Sequence, residues 1–310
     1  MKRVLVCILI HKKNNKFNLL KKINYNKKDN FLIILDKIDI KFDKKKLKNI
    51  KIIKGNKKIN PVPFYRNLAI KYAKDKYEIL LFLDSDTVPS KNIIQKHYDA
   101  HKKYKQVPLI GGSVTPSFQI NYKSFWQFLD GILSWFTSIE PSKDKFISKP
   151  YHLPTCNLSI KNFYLKKYKI FFDENLKTGE DVDLCNKIRS LKMKLMLIKN
   201  ADIAHIDRNY FSEFIKHQIN WGRHHYHLRY KKLLFRKNNF LIIFFFLFLY
   251  PAFIFILNFI MTYLTLMPWI RKNFLYILCF FPIYIVYFIK SISTFIEFFK
   301  DLKNLLSLKF

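Results

Sequence analysis

A chain of 310 residues has room for one substantial domain of about 200 to 250 residues plus an appendage. Half of it is apolar and its formal charge is +34, which ordinarily points to nucleic acid or anionic lipid. The lysines, however, are strewn along the whole chain among abundant Asn, Ile and Phe and scarce Gly, as AT-rich codon usage would produce. No aromatic platform is interleaved with them, so a nucleic-acid partner is excluded, and a basic surface near an anionic membrane or nucleotide phosphates is expected.

In chain order, Val4–Ile10 is an apolar run at the floor for a signal-peptide core, and His11-Lys-Lys follows with no small-residue cleavage site, so it predicts a buried first strand. Phe31–Leu35, Ile50–Ile53, Ile79–Leu83 and Leu109–Val114 predict further strands, and Asn67–Lys74 and Asn92–Tyr104 predict helices. Continuous apolar strands alternating with polar helical stretches imply an α/β domain whose mostly parallel sheet is covered on both faces. In such sheets ligands bind beyond the carboxyl ends of the strands. The four cysteines, Cys7, Cys156, Cys185 and Cys279, share no ligand spacing; they support neither a disulfide framework nor a zinc site and fit a reducing cytosol.

The composition changes near residue 230. Residues 1–230 read as the α/β domain and 231–310 as a membrane anchor, with candidate spans at about 240–267 and 274–296. Phe240–Ile270 carries no charge, and Pro251 is expected to kink or tilt it. The second run is interrupted by Lys290, and an interfacial or re-entrant helix is its alternative reading. Basic residues before the first span and after the second place both ends in the cytoplasm, with a hairpin between them. The expected location is the inner, cytoplasmic membrane with the α/β domain facing the cytoplasm.

Chemistry is carried by a few short patterns. The strand Ile79–Leu83 runs into Asp84-Ser85-Asp86, and carboxylates spaced i, i+2 on an extended chain face the same way. They suit a hard cation, Mg²⁺ or Mn²⁺, that also bridges diphosphate oxygens; an Asp-rich turn is the bland alternative. Thr178-Gly-Glu180-Asp181-Val-Asp183 reads as a capping box opening a helix with Leu184, Ile188 and Leu191 on one face. It also reads as an acidic pair fit to deprotonate a hydroxyl. Arg66, in Tyr65-Arg66-Asn67, would pair with phosphate or stack on a base, or else be a solvated helix-start residue. His205 ends a strand-like run and is either structural or a metal ligand. His224-His225-Tyr226-His227 matches no standard zinc spacing and is assigned no metal.

Taken in order over roughly residues 1–228, these pieces resemble glycosyltransferase family 2, the inverting enzymes of GT-A fold. The ordered set also includes Leu32–Asp36, Thr155–Lys161, Phe172-Asp-Glu and Gln218-Ile-Asn-Trp221-Gly-Arg223. The resemblance implies that Asp36 contacts the nucleobase, Arg66 the nucleotide and Asp84 the ribose and metal. Asp86 binds the metal directly, and His205 matches a position that supplies a ligand in some members. Asn157 falls in the segment that lines the sugar site, Asp181 is the catalytic base, and Glu180 assists in acceptor binding. Arg223 closes on the donor pyrophosphate and Trp221 stacks on the acceptor. Asp36-Lys37 stands where an acidic pair is usual and His11-Lys-Lys where a small residue or Pro is common, so UDP is favoured only modestly over GDP or dTDP. The implied reaction moves a sugar from a nucleotide-sugar to a glycan or lipid-linked acceptor, in cell-surface polysaccharide assembly or onto a polyprenyl phosphate. The rival readings are a nucleotidyltransferase, for which no Gly-rich phosphate loop is present, and a non-catalytic membrane scaffold.

Overall fold

Every residue from Val4 to Ile10 is buried, and this run forms the heart of β1 (Lys2–Ile10). The computed structural model describes residues 2–10, 23–37, 49–55, 60–149, 151–176, 178–235 and 239–307; the His11 loop lies outside them. β1 pairs in parallel with β2 (Asn30–Asp36) on one side and β4 (Tyr77–Asp84) on the other, and β2 pairs in parallel with β3 (Ile50–Gly55). The middles of β1, β2 and β4 are apolar because both their faces are covered, whereas the edge strand β3 exposes Lys51 and Lys54. Helix α1 (Pro61–Ala73) follows β3, the short β5 (Thr87–Pro89) follows β4, and α2 (Ile93–Lys103) leads to β6 (Leu109–Pro116).

Beyond β4 the sheet becomes mixed. The strand order is β3-β2-β1-β4-β8-β6-β9-β5, with β7 (Lys145–Phe146) against β9. β8 (Asn157–Lys161) is antiparallel to both β4 and β6, whereas β6 and β9 (Leu195–His205) run parallel. Antiparallel β8 therefore interrupts the expected parallel sheet. Its apolar residues alternate with polar ones: Leu158 and Ile160 join the core cluster of α1, α4 (Asn162–Tyr168) and α5 (Glu180–Ser190). Asn157 and Ser159 turn to the other face, where α2 lies.

There they meet two histidines. The Asn157 amide nitrogen donates to the Ser113 and Ala201 carbonyls at 3.0 and 2.8 Å. Its oxygen, 2.9 Å from His97 Nε2, therefore requires a proton on that nitrogen. His97 Nδ1 lies 2.8 Å from the Ser159 hydroxyl, which also reaches the Ile110 carbonyl at 3.2 Å and lies 2.9 Å from His101 Nε2. Burial holds both imidazoles well below the usual histidine range, His97 at about 4, so both are neutral at pH 7. A Cβ at Gly112 would collide with the Asn157 amide and the Ala201 carbonyl, so glycine is required where this amide crosses the sheet.

Several boundaries differ from expectation. Helix α1 starts at Pro61, six residues before Asn67, because prolines in a first turn give up only N–H groups that would be unpaired anyway. Thr178 does not cap α5; Gly179, at φ 75°, occupies that position with no side-chain cap. Leu191 is 37% exposed and ends the helix, while Leu184, Cys185 and Ile188 form its buried stripe. All four cysteines are free and buried.

The chain divides into two compact units: residues 1–116 with 137–206, and residues 117–136 with 207–310. The first holds the whole sheet. The second contains α3 (Phe125–Trp135), α6 (Phe211–Arg229) and two long apolar helices, α7 (Phe240–Ile270) and α8 (Phe274–Ser307). It therefore takes in residues 117–136 and 207–230 as well as the stretch from 231 onward. Both apolar helices are long and apolar enough to cross a membrane. Ahead of Pro251, which has no N–H to donate, α7 widens into a π turn over Phe245–Leu249.

The neutral histidine pair makes stability pH-dependent in a defined direction. His97 titrates near 4 when folded and near 6.5 when unfolded, so its contribution is full above pH 6.5 and is lost as pH falls towards 4. Between pH 7 and pH 4 the wild type should lose about 3 kcal/mol more stability than His97→Asn. Paired thermal or urea unfolding curves at the two pH values check this.

Candidate active site

Beyond the carboxyl ends of β2 and β4, the two strand-terminal aspartates stand on one edge of the sheet. Asp84 ends β4, and the Thr87 hydroxyl donates to its carbonyl at 2.7 Å, closing the Asp84-Ser85-Asp86 turn. β5 then pairs antiparallel with the end of β9, setting Thr87 opposite His205, and the Ile206 N–H donates to the Asp86 carbonyl at 3.0 Å. This pairing brings His205 Nε2 to 3.6 Å from Asp86 Oδ1. One ligand atom from each of Asp84, Asp86 and His205 lies within 4.8 Å of the others. Two hard carboxylate oxygens and one imidazole nitrogen are a donor set that fits Mn²⁺ or Mg²⁺. Among the described residues no other such cluster forms, and the histidines at 224, 225 and 227 belong to none.

Arg66 is the link between the two acidic motifs. It projects from α1, is 5% exposed, donates to Asp84 Oδ1 at 3.2 Å and is hydrogen-bonded to Glu180 Oε1. The Phe172 ring lies 5.7 Å from its guanidinium. Burial alone would weaken this cation, but the carboxylates of Glu180, Asp84 and Asp181 outweigh that and hold its proton firmly. Arg66 is therefore neither solvated nor open to a base; it neutralises the carboxylates around it. Its neighbour Asn67 clamps the 172–174 segment, donating to the Phe172 carbonyl and Glu174 Oε1 and accepting from the Phe172 N–H at 2.8 Å.

Glu180 and Asp181 open α5, where their negative charge suits the helix N-terminus. Asp181 Oδ1 accepts from the Val182 N–H at 2.8 Å, and Oδ2 lies 3.8 Å from His152 Nε2. Burial pushes both carboxyls above the usual carboxylate range, partly offset by Arg66. His152 is held at about 4 by burial, so it faces Asp181 as a neutral imidazole at pH 7. Asp36 is buried at the end of β2 and accepts from the Tyr65 hydroxyl at 2.9 Å. A Cβ at Gly55 would collide with the Tyr65 ring, so glycine makes room for that contact.

Three further expected site residues have other partners. Asn157 is fully buried with its amide spent on His97, Ser113 and Ala201, so it braces the sheet and does not line the site. Trp221 and Arg223 lie on α6 in the second unit, Trp221 donating to His217 Nε2 at 2.9 Å and Arg223 paired with Glu297 at 3.3 Å. The structure adds Tyr65, Thr87 and His152. Tyr65 adjoins Arg66 in the motif already singled out, whereas His152 is a lone histidine with no pattern around it.

No family model matches the chain. Over 155 residues it is 31% identical to GgaB of Bacillus subtilis strain 168, a minor teichoic acid biosynthesis protein; the match covers 48% of this chain and 16% of GgaB. Its fold is similar to that of residues 1–349 of S. aureus TarS in complex with UDP, with a TM-score of 0.50 and 14% identity. That likeness covers 76% of this chain and 66% of the TarS chain, and it identifies the α/β architecture as that of the GT-A fold.

Removing Arg66 leaves buried carboxylates without their counter-ion. Arg66→Met should cost about 3–5 kcal/mol, and Glu180→Gln in that background should recover part of it. A double-mutant cycle by thermal unfolding measures the coupling. Additive single changes would mean that the pair does not hold α1 to α5.

Proposed function

We propose that the chain is a metal-dependent inverting glycosyltransferase. It takes a sugar from a nucleoside diphosphate donor, UDP favoured, to a hydroxyl of a glycan or lipid-linked acceptor in cell-wall polymer assembly. One observation carries this reading: the Asp84, Asp86 and His205 ligand atoms gather within 4.8 Å, and Arg66 ties Asp84 to the Glu180-Asp181 pair. The GT-A architecture, shared with a protein crystallised with UDP, and the partial identity to a teichoic acid biosynthesis protein support the substrate class.

Asp84, Asp86 and His205 would hold the Mn²⁺ or Mg²⁺, which offsets the charge growing on the departing diphosphate. Asp36, oriented by Tyr65, accepts a hydrogen bond from the base of the donor. Asp181 takes the acceptor hydroxyl proton as the new bond forms at the sugar's anomeric carbon. The bond from that carbon to the diphosphate oxygen breaks with its electron pair on the diphosphate, which inverts the centre. Glu180, neutralised by Arg66, positions the acceptor, and His152 fixes one side of the Asp181 carboxylate. The apolar helices of the second unit keep the enzyme at a membrane, where a lipid-linked acceptor is at hand.

Two results follow from this division of labour. Asp181→Asn should lower transfer from UDP-sugars by about 10²–10⁴-fold while keeping Mn²⁺-dependent UDP binding, whereas Asp86→Ala should lose both. Steady-state transfer assays beside calorimetric UDP titrations separate the two roles; full activity in both variants would overturn the assignments. The second result is a pH profile. Transfer requires ionised Asp181, whose proton burial holds above the usual range, so the acid limb should lie above about pH 4. The rate of wild-type transfer from pH 4 to pH 8 checks it.

A further inference from the structure

The two apolar helices pack as a hairpin whose every stretch is tied to a neighbour. The stripe of α7 that faces α8 is buried and polar: Thr265 meets the Tyr287 hydroxyl at 2.5 Å, and Ser291 donates to Asn258 at 2.7 Å. An adjoining face of α8 rests on α6. The Thr294 hydroxyl donates to the Gly222 carbonyl at 2.8 Å, and a Cβ at Gly222 would collide with the Lys290 carbonyl and Ser293. Arg223 pairs with Glu297 at 3.3 Å and Lys231 with Asp301 at 3.2 Å, while Tyr226 packs edge-on against Phe298.

The hinge of the hairpin is held as well. Trp269 Nε1 donates to the Ile132 carbonyl of α3 at 3.1 Å, and Tyr276 stacks on Phe128 at 6.1 Å. Helix α3 in turn meets α6, through Gln218 and Asp130 and through Trp126 and Phe214. The hairpin thus lies along a layer of α3 and α6 from its hinge to the last turns of α8.

That layer carries charge, mostly on α6, whereas α3 is mostly apolar and its one charged residue, Asp130, is buried. The charged groups are Asp130 bonded to Arg208, exposed Glu213 and Lys216, and the ion pair of Arg223. A hairpin crossing the bilayer would carry these charges towards hydrocarbon, which is costly for each unpaired one. Length argues the same way. The 31-residue α7 is about 46 Å long, against a hydrocarbon core of about 30 Å, and would need more tilt than the usual 0–40°. Meanwhile the outer side of the pair is broadly apolar and exposed: Phe255, Phe259 and Tyr263 on α7, and Leu278 and Phe281 on α8. Exposed basic residues mark its ends, Arg271 and Lys272 at the hinge, Lys300 and Lys303 on α8.

We propose that the hairpin does not span the membrane but lies in the plane of one leaflet. Its outer face sinks into the acyl chains, the end lysines and arginines meet anionic headgroups, and the α3–α6 layer stays on the water side. The occupant of the apolar face is one leaflet of an anionic bilayer. The inference rests on the membrane association given under Proposed function and replaces the spanning hairpin expected from hydropathy with a monotopic one.

Its test is labelling of the full chain by a membrane-impermeant maleimide. Lys272→Cys marks the hinge and Lys102→Cys, on exposed α2, marks the sheet unit; the native cysteines are buried. In sealed membrane vesicles both positions should react from the same face, and both should be protected when that face is enclosed. Labelling of the hinge from the opposite face, or protection from both faces with reaction only in detergent, overturns the in-plane arrangement. Loss of the protein from the membrane fraction, as a soluble monomer or dimer, overturns it by a different route and removes the membrane association itself. None of these readouts depends on transfer activity, so failure here is distinct from failure of the enzymatic reading.

Discussion

A guanidinium almost closed off from water holds the site together. Arg66 reaches Asp84, 18 positions later, and Glu180, 114 positions later, so one side chain joins the end of a central strand to the start of α5. Both acidic motifs share it as a counter-ion. Burial would drive Glu180 and Asp181 towards their neutral forms, and Arg66 is the nearest charge that opposes this. A carboxylate held between those two tendencies keeps affinity for a proton while remaining able to ionise near neutral pH. The same guanidinium bonds Asp84, one of whose carboxylate oxygens stands within 4.8 Å of ligand atoms of Asp86 and His205.

Around this link the supporting residues are economical. Asn67, next to Arg66, clamps the segment after α4, and Tyr65, just before it, orients Asp36. Three consecutive side chains of α1 therefore reach Asp36, the acidic pair and the 172–174 segment. On the other face of the sheet, Asn157 and the two neutral histidines hold β8 between β4 and β6. Strand β8, which carries Asn157, is what turns a parallel half-sheet into a mixed one.

Much of this was legible in the sequence, and the failures have physical causes. Apolar runs bounded by polar ones located β1 to β4 and β6, because strands covered on both faces need continuous hydrophobicity. β8 has no such run: half its residues face a buried polar network, and hydropathy reads them as loop. Asp84 and Asp86 were found from their two-residue spacing, and His205 from its place after an apolar run. Arg66 was noticed, but its partners are set by tertiary packing and carry no local signal. For the same reason Asn157 passed for a ligand-facing residue, although its amide is consumed inside the protein. His152 gave nothing to find. The apolar helices show a different limit, since hydropathy measures whether a helix tolerates lipid and says nothing of which neighbours run beside it. In this chain α3 and the charged α6 run beside them.

Binding of UDP to the purified full-length chain, titrated with and without Mn²⁺ in the wild type and in Asp86→Ala, tests the enzymatic reading most directly. Mn²⁺ should tighten binding in the wild type by at least about tenfold, and Asp86→Ala should abolish that gain while the protein stays folded. UDP that binds equally well without metal, or whose Mn²⁺ dependence survives Asp86→Ala, would contradict the assignment of Asp84, Asp86 and His205 as the centre of a nucleotide-sugar site.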